Sequence, residues 1–200
     1  MNIPDYITLL DTLEAMKRNT RHSWLSDGRH ESVAEHSWRL AAMAYFAKDE
    51  FPTVNIDKVI MMCIFHDIGE AFTGDIPAFL KTERDETAEN GTVERFVASL
   101  PEPYKSELSA LFSEMNEMQT EEAKLYKALD RMEAVIQHNE ADISTWLPLE
   151  YDLQLSYGEK ETEFSRFTAK LKEAANEITR GKIEQAKAHR SDTTGDTDET

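Results

Sequence analysis

The stretch Val59-Ile60-Met61-Met62-Cys63-Ile64-Phe65-His66-Asp67-Ile68-Gly69-Glu70 decides how the rest of the chain is read. Seven apolar residues in succession are bounded by Asn55 upstream and by Thr73-Gly74-Asp75-Ile76-Pro77 downstream, which predicts a buried helix starting near Asn55 and broken by that Gly and Pro. Two metal-competent side chains, His66 and Asp67, stand at its end. Burying them there is costly unless they are coordinated or neutralised. Adjacent helical residues diverge by about 100 degrees, so both reach one ion only where the helix loosens, as it can near Gly69. Glu70, one turn beyond His66, shares its side.

Apolar spacing outward from this stretch gives an all-α fold. A first helix spans about Asp5 to Arg18 on Ile7, Leu10, Leu13 and Met16, and Asn19 to Ser32 reads as a connection. A second starts at Ser32, with Glu35 completing a capping box, and carries His36 towards Asp49. Residues Thr82 to Leu100 have helical composition interrupted by Asn90-Gly91, giving one kinked helix or two short ones. Helices follow over about Pro103 to Met118 and Thr120 to Asn139, the latter with Leu125, Leu129, Met132 and Ile136 as its stripe and Asp130 beside it. Ser144 to Gly158 reads as an ordered loop and Glu159 to Lys187 as a last helix. The expectation is a single domain of about 6–8 helices over residues 1–187, with a disordered acidic and polar tail over 188–200.

Composition narrows the function. Two hundred residues at 40% hydrophobic, with only 7 Gly and 6 Pro, suffice for one helical core. A net charge of −17 excludes a broad basic surface for nucleic acid polymers, which are bound through many Lys and Arg contacts. A small anion remains compatible, given a cation and local bases such as Lys17, Arg18 and Arg21. The one cysteine, Cys63, lies in the apolar run and reads as a small buried hydrophobe. Neither a secretory leader nor a membrane span is recognisable, which points to a cytoplasmic protein.

Taken alone, His36 reads as a satisfied core histidine and Asp130 as a solvated partner of Arg131. Their combination with His66-Asp67 is sharper. The set Arg21-x-x-Trp24, Glu31-Ser32-Val33-Ala34-Glu35-His36-Ser37, His66-Asp67-Ile68-Gly69-Glu70-Ala71-Phe72-Thr73-Gly74-Asp75-Ile76-Pro77 and Lys127-Ala128-Leu129-Asp130 resembles the ordered signatures of small HD-superfamily phosphohydrolases. It is most similar to the 5′-deoxynucleotidase branch and to the oxetanocin-pathway phosphohydrolase.

That resemblance implies an HD-type helical bundle and metal ligands His36, His66, Asp67 and Asp130. Two imidazoles and two carboxylates suit a divalent ion of the Mn, Co, Mg, Fe, Ni or Zn set better than Ca. Dinuclear HD proteins need further histidines between the His-Asp pair and the last Asp; none stands there, so one ion is implied. Glu70 is implied as the group that orients or deprotonates water, Arg21 as a phosphate fork and Trp24 as a wall against the sugar. Asp75 resembles the residue that holds a sugar hydroxyl or the attacking water, or else is a turn carboxylate. Lys81 and Arg84 follow closely enough to approach a phosphate chain, or are solvated at a helix start. His30 and Glu31 are candidates to orient His36.

The implied activity is phosphate removal from a deoxynucleoside 5′-monophosphate. A nucleoside triphosphate substrate and a non-catalytic nucleotide-binding role are the alternatives. Relatives with this core often dimerise, which implies a homodimer.

Overall fold

Helix starts follow the side chains that satisfy their first amide groups. Asn2 accepts from the Asp5 amide ahead of α1 (Ile3–Arg18), and Ser32 with Glu35 forms a reciprocal capping box ahead of α2 (Val33–Phe46). Asn55 accepts from the Lys58 amide ahead of α3 (Ile56–Phe65), and Thr82 with Asp85 closes a second box ahead of α5 (Glu83–Ser99). Between α3 and α5 lies a single turn, α4 (Glu70–Thr73), and after them come α6 (Tyr104–Glu117) and α7 (Glu121–Glu140). The short α8 (Glu150–Ser156) and α9 (Glu159–Thr162) precede α10 (Arg166–Thr194). This computed structural model describes residues 1–194, with side chains as far as His189. The described residues are all-α apart from one two-stranded sheet, as the periodicity predicts.

Contacts divide the chain into two compact units. The first comprises Met1–His22 and His30–Asp130; the second comprises Ser23–Arg29 and everything from Arg131 onward. In the first, α2 and α3 pack along their length, with Val33, Leu40 and Ala44 of one and Val59, Met62 and Cys63 of the other withdrawn from solvent. The helices α1, α5 and α6 complete its shell. In the second, α10 packs on α8 and α9. Buried polar groups there cap carbonyls: Lys172 Nζ donates to the Gln154 oxygen (3.0 Å), Asn176 to that of Leu155 (3.0 Å) and Asn139 to that of Ala175 (3.1 Å).

Several elements differ from the sequence reading. Within the expected connection Asn19 to Ser32, strands β1 (Thr20–Trp24) and β2 (His30–Ser32) pair as a hairpin, and the Leu25 amide donates to the Arg29 carbonyl in its turn. Those strands are too short to show a period. Helix α5 runs unbroken through Asn90-Gly91, because its capped start and the buried Phe96 and Val97 outweigh a cost of about 1 kcal/mol for an internal Gly. The expected loop Ser144 to Gly158 contains a 3₁₀ turn and α8. The expected single last helix is broken at Ser165, whose hydroxyl accepts from the Thr168 amide (3.1 Å) and starts α10 afresh. Helix α10 continues past Lys187 to Thr194, so the polar composition there does not end it; the remainder of the expected tail lies outside the described residues. No helix among the described residues is long and apolar enough to cross a membrane.

The α2–α3 seam carries the first unit. Leu40→Ala, at a fully buried position, is expected to lower unfolding free energy by about 2–5 kcal/mol. Phe46→Ser on the exposed side of the same helix is expected to stay within about 0.5 kcal/mol. Urea denaturation of the two variants compares them directly, and equal losses would contradict this placement of the core.

Candidate metal centre

Helix α3 ends at Phe65, and the chain then tightens. The amides of Ile68, Glu70, Ala71 and Phe72 donate to the carbonyls of Phe65, Asp67, Ile68 and Gly69, each three residues back. A three-residue repeat rotates successive side chains differently from an α-helix, and here it turns the His66 and Asp67 heads together, with Nε2 and Oδ2 3.0 Å apart. Gly69 makes room for this turn. A Cβ on it would stand 2.8 Å from Cγ of Glu89 and 3.0 Å from Cγ2 of Val93.

His36 enters from α2, on the buried face formed with Val33, Ser37, Leu40 and Ala44. The capping box at Ser32 fixes where this helix begins, and so the height of His36 along it. Asp130 enters from α7, directly after the buried Leu129. Its Oδ1 lies 3.2 Å from His36 Nε2 and 3.5 Å from His66 Nε2. The two Nε2 atoms are 3.2 Å apart, and Asp67 Oδ2 is 3.9 Å from that of His36.

These donors suit a divalent ion. His66 Nδ1 donates to the Cys63 carbonyl (2.9 Å), which fixes the tautomer and leaves Nε2 with its lone pair inward. Two inward nitrogens at 3.2 Å with carboxylate oxygens beside them repel one another unless a proton or a cation lies between. Ligand distances of roughly 2.0–2.2 Å separate neighbouring donors by roughly 3–3.5 Å, close to the spacings here. Without an ion, protons do part of this work. Burial works against a charged His66, but the Asp67 carboxylate and the hydrogen bonds that the imidazolium donates to Asp130 and Asp67 outweigh it and raise its pKa well above 6.5. Burial alone would raise Asp67, yet His66, then Arg21 and His36, hold it well below the usual carboxylate range. Burial likewise opposes an ionised Asp130, and Lys127 (Nζ to Oδ2, 2.8 Å), His36 and His66 overcome it.

Glu70 opens α4 and is buried, with its Oε2 lacking a hydrogen-bond partner. Burial first, then the Asp67 and Asp75 charges, push its pKa to about 9 against the pull of Arg21. A carboxyl so placed holds a proton at neutral pH, and a cation among its neighbours would favour its ionised, proton-accepting form. The Glu70 carbonyl accepts from Asn19 Nδ2, tying the turn to the end of α1.

Arg21, on β1, reaches Asp67 Oδ2 with Nη1 (3.2 Å) and has Glu31 Oε2 3.4 Å from its Nε. Asp75 follows Gly74, whose φ of +75° suits glycine, and its Oδ2 accepts from the His22 amide (3.2 Å). Lys81 pairs with Glu89 (2.5 Å). Trp24 ends β1 as a half-buried residue of the second unit, its carbonyl accepting from Gln137 Nε2 (2.8 Å). His36, His66, Asp67 and Asp130 thus converge, with Arg21 touching Asp67, and the Asp67 and Asp75 charges acting on Glu70 beside them. Asn19, Lys127 and Glu89 carry no role in the sequence reading. Lys127 was detectable as an i, i+3 partner of Asp130, whereas Asn19 and Glu89 are brought in only by tertiary packing.

A family model described as HD domain matches residues 13–172. The chain is 33% identical over 129 residues to the mouse 5′-deoxynucleotidase HDDC2, covering 62% of this chain and 64% of that one. It is 32% identical over 143 residues to the bovine 5′-deoxynucleotidase HDDC2, covering 70% and 67%. The match therefore spans about two thirds of the length of these relatives. Among solved structures, a protein described as a predicted metal-dependent phosphohydrolase from Magnetospirillum magnetotacticum superposes with a TM-score of 0.74 at 26% identity, covering 90% of this chain and 92% of that one.

Because protons and metal compete for His66 Nε2, and a cation favours ionised Glu70, affinity for Mn(II) or Co(II) is expected to weaken from pH 8 to pH 6, with about one to two protons released per ion bound near neutrality. Calorimetry in buffers of differing ionisation enthalpy measures this; affinity that stays constant with pH would contradict it.

Proposed function

This chain belongs to the HD-domain family, and from that premise we propose that it is a metal-dependent phosphohydrolase that removes the 5′-phosphate of deoxynucleoside monophosphates. One observation carries the reading: His36 Nε2 and His66 Nε2 lie 3.2 Å apart, and Asp67 Oδ2 and Asp130 Oδ1, from the turn after α3 and from α7, each lie within 3.9 Å of both. The relatives named 5′-deoxynucleotidase support the substrate class.

In this reading the four side chains hold one divalent ion of the Mn, Co, Mg, Fe, Ni or Zn set, and residues 1–187 act as one HD domain. When bound, the ion supplies Lewis acidity to a phosphoryl oxygen and positive charge that eases loss of a proton from a neighbouring water. The chain's own residues do the rest. Arg21 is braced by Asp67 and Glu31 and offers guanidinium N–H groups to phosphate oxygens. Glu70 takes the proton of the attacking water on its unpartnered Oε2, a role open to it once nearby positive charge favours the carboxylate. Asp75, anchored on the His22 amide, takes a sugar hydroxyl or steadies the attacking water. Lys81 adds a cation for the phosphate. Trp24 is assigned to the sugar by the family resemblance, although its Arg-x-x-Trp spacing differs from the adjacent Arg-Trp of some members. A small nucleotide is the partner; a homodimer in the cytoplasm follows from the same family likeness.

The test is phosphate release from dAMP, AMP and dATP after chelation and metal return. The account expects chelator to abolish release from dAMP and Mn(II) or Co(II) to restore it. Asp67→Ala should lose both metal and turnover. Glu70→Gln should keep the metal and lower kcat by about 10²–10⁴-fold. Preferential release from dATP would replace the monophosphate by a triphosphate substrate. Release indifferent to chelator and to Asp67→Ala would leave a helical protein that binds nucleotides without turning them over.

A further inference from the structure

The Glu89–Lys81 ion pair lies beside the turn that carries Asp67 and Glu70. Glu89 lies two turns into α5 and its stem rests on the catalytic turn itself: Cγ and Cδ stand 2.8 and 3.6 Å from where a Cβ on Gly69 would be. Gly69 is flanked by Ile68 and Glu70, so the Glu89 carboxylate sits against the backbone that carries Asp67 and Glu70. Lys81 Nζ reaches its Oε2 at 2.5 Å, and both side chains are largely covered, 24% and 17% exposed.

The route of Lys81 to this point is unforced by its own surroundings. Its backbone is held by a turn, with the Leu80 and Lys81 amides donating to the Pro77 carbonyl, and Thr82 next caps α5. The first turn of α5 carries Glu83, Asp85 and Glu86. A lysine just ahead of them would by proximity pair with these exposed acids and leave its ammonium in water. Lys81 instead runs along the helix to the half-buried Glu89, where the charges of Glu70 and Asp67 also act on it. An ammonium has three N–H donors, of which Glu89 Oε2 takes one.

A carboxylate beside Asp67, Glu70 and Asp75 adds to a negative field that repels phosphate. It is tolerable at this position when it brings a cation with it. We propose that Glu89 is a positioning residue that holds the Lys81 ammonium at the edge of the Asp67–Glu70 turn, where Lys81 binds the phosphoryl oxygens of the substrate opposite Arg21. The inference rests on the phosphohydrolase reading for its substrate and adds to it that helix α5 sets phosphate affinity. Glu89 acts only through Lys81, so the two are coupled and the loss of either falls on binding.

The experiment is a double-mutant cycle on the Mn(II)-loaded protein with Lys81→Met, Glu89→Gln and the pair together. Glu89→Gln keeps the stem on Gly69, so the turn stays packed. Two quantities are read: KM and kcat for dAMP, and the dissociation constant of inorganic phosphate by calorimetry. Lys81→Met is expected to raise KM and the phosphate constant about tenfold, the scale of one charge-assisted hydrogen bond. Glu89→Gln should raise both severalfold, with the loss in KM rather than kcat, and should add nothing once Lys81 is Met. Glu89→Asp should recover part of the affinity. Unchanged phosphate binding in Lys81→Met, or a Glu89→Gln effect that persists in full without Lys81, overturns the proposal. Absence of phosphate release from any nucleotide by the unaltered protein would defeat the phosphohydrolase reading instead, and the calorimetric cycle would still decide the role of Glu89.

Discussion

Two imidazole nitrogens 3.2 Å apart, with a carboxylate oxygen of Asp67 and one of Asp130 each 3.0–3.9 Å from both, repel one another, and the first unit answers that repulsion. Positive charge answers it from several sides. Lys127 takes Asp130 from within α7, Arg21 takes Asp67 from β1, and protons or a divalent ion take the centre. The apolar seam of α2 and α3 keeps the His36 side chain out of water, which makes each charge felt more strongly than it would be at the surface. The convergence in turn depends on one departure from regular structure. The amides of Ile68, Glu70, Ala71 and Phe72 bond to the third residue back, and this tightening goes with consecutive His66 and Asp67 aiming at one point.

The same departure explains the parts that surround it. A tight turn crossed by a helix needs a residue without a side chain at the crossing, and Gly69 is where Glu89 and Val93 of α5 come closest. The turn delivers Glu70 into a buried position directly after, close enough to Asp67 and Asp75 that its carboxyl holds its proton until positive charge arrives. Gly74 then reverses the chain so that Asp75 meets the His22 amide beside Arg21. Five of the candidate site residues, His66, Asp67, Glu70, Asp75 and Lys81, therefore come from one stretch of sixteen residues, joined by Arg21 of β1, His36 of α2 and Asp130 of α7.

Much of this was legible in the residues. The apolar run ending in His66-Asp67 gives both the buried helix and the loosened end, and Ser32 with Glu35 marks the start of α2 within one residue. The length of the ordered motif marks the four side chains that converge, with His36 and Asp130 on helices and His66-Asp67 on the turn after α3. What escaped depends on contacts distant in sequence. Asn19 and Glu89 meet the turn after α3 only after folding, and neither has a local pattern to mark it. The hairpin strands are three and five residues long, too short for alternation to register. The break at Ser165 was hidden inside a continuous helical composition, although a serine three residues ahead of Thr168 is a capping arrangement in retrospect. The extension of α10 past Lys187 shows composition alone failing at a helix end.

The most direct test of the central claim is an anomalous-scattering map from crystals grown with Mn(II). The account predicts one strong peak per chain, with His36 Nε2, His66 Nε2, an Asp67 oxygen and an Asp130 oxygen each about 2.0–2.3 Å from it. A peak that lacks any of the four, or none among them at saturating Mn(II), would contradict it.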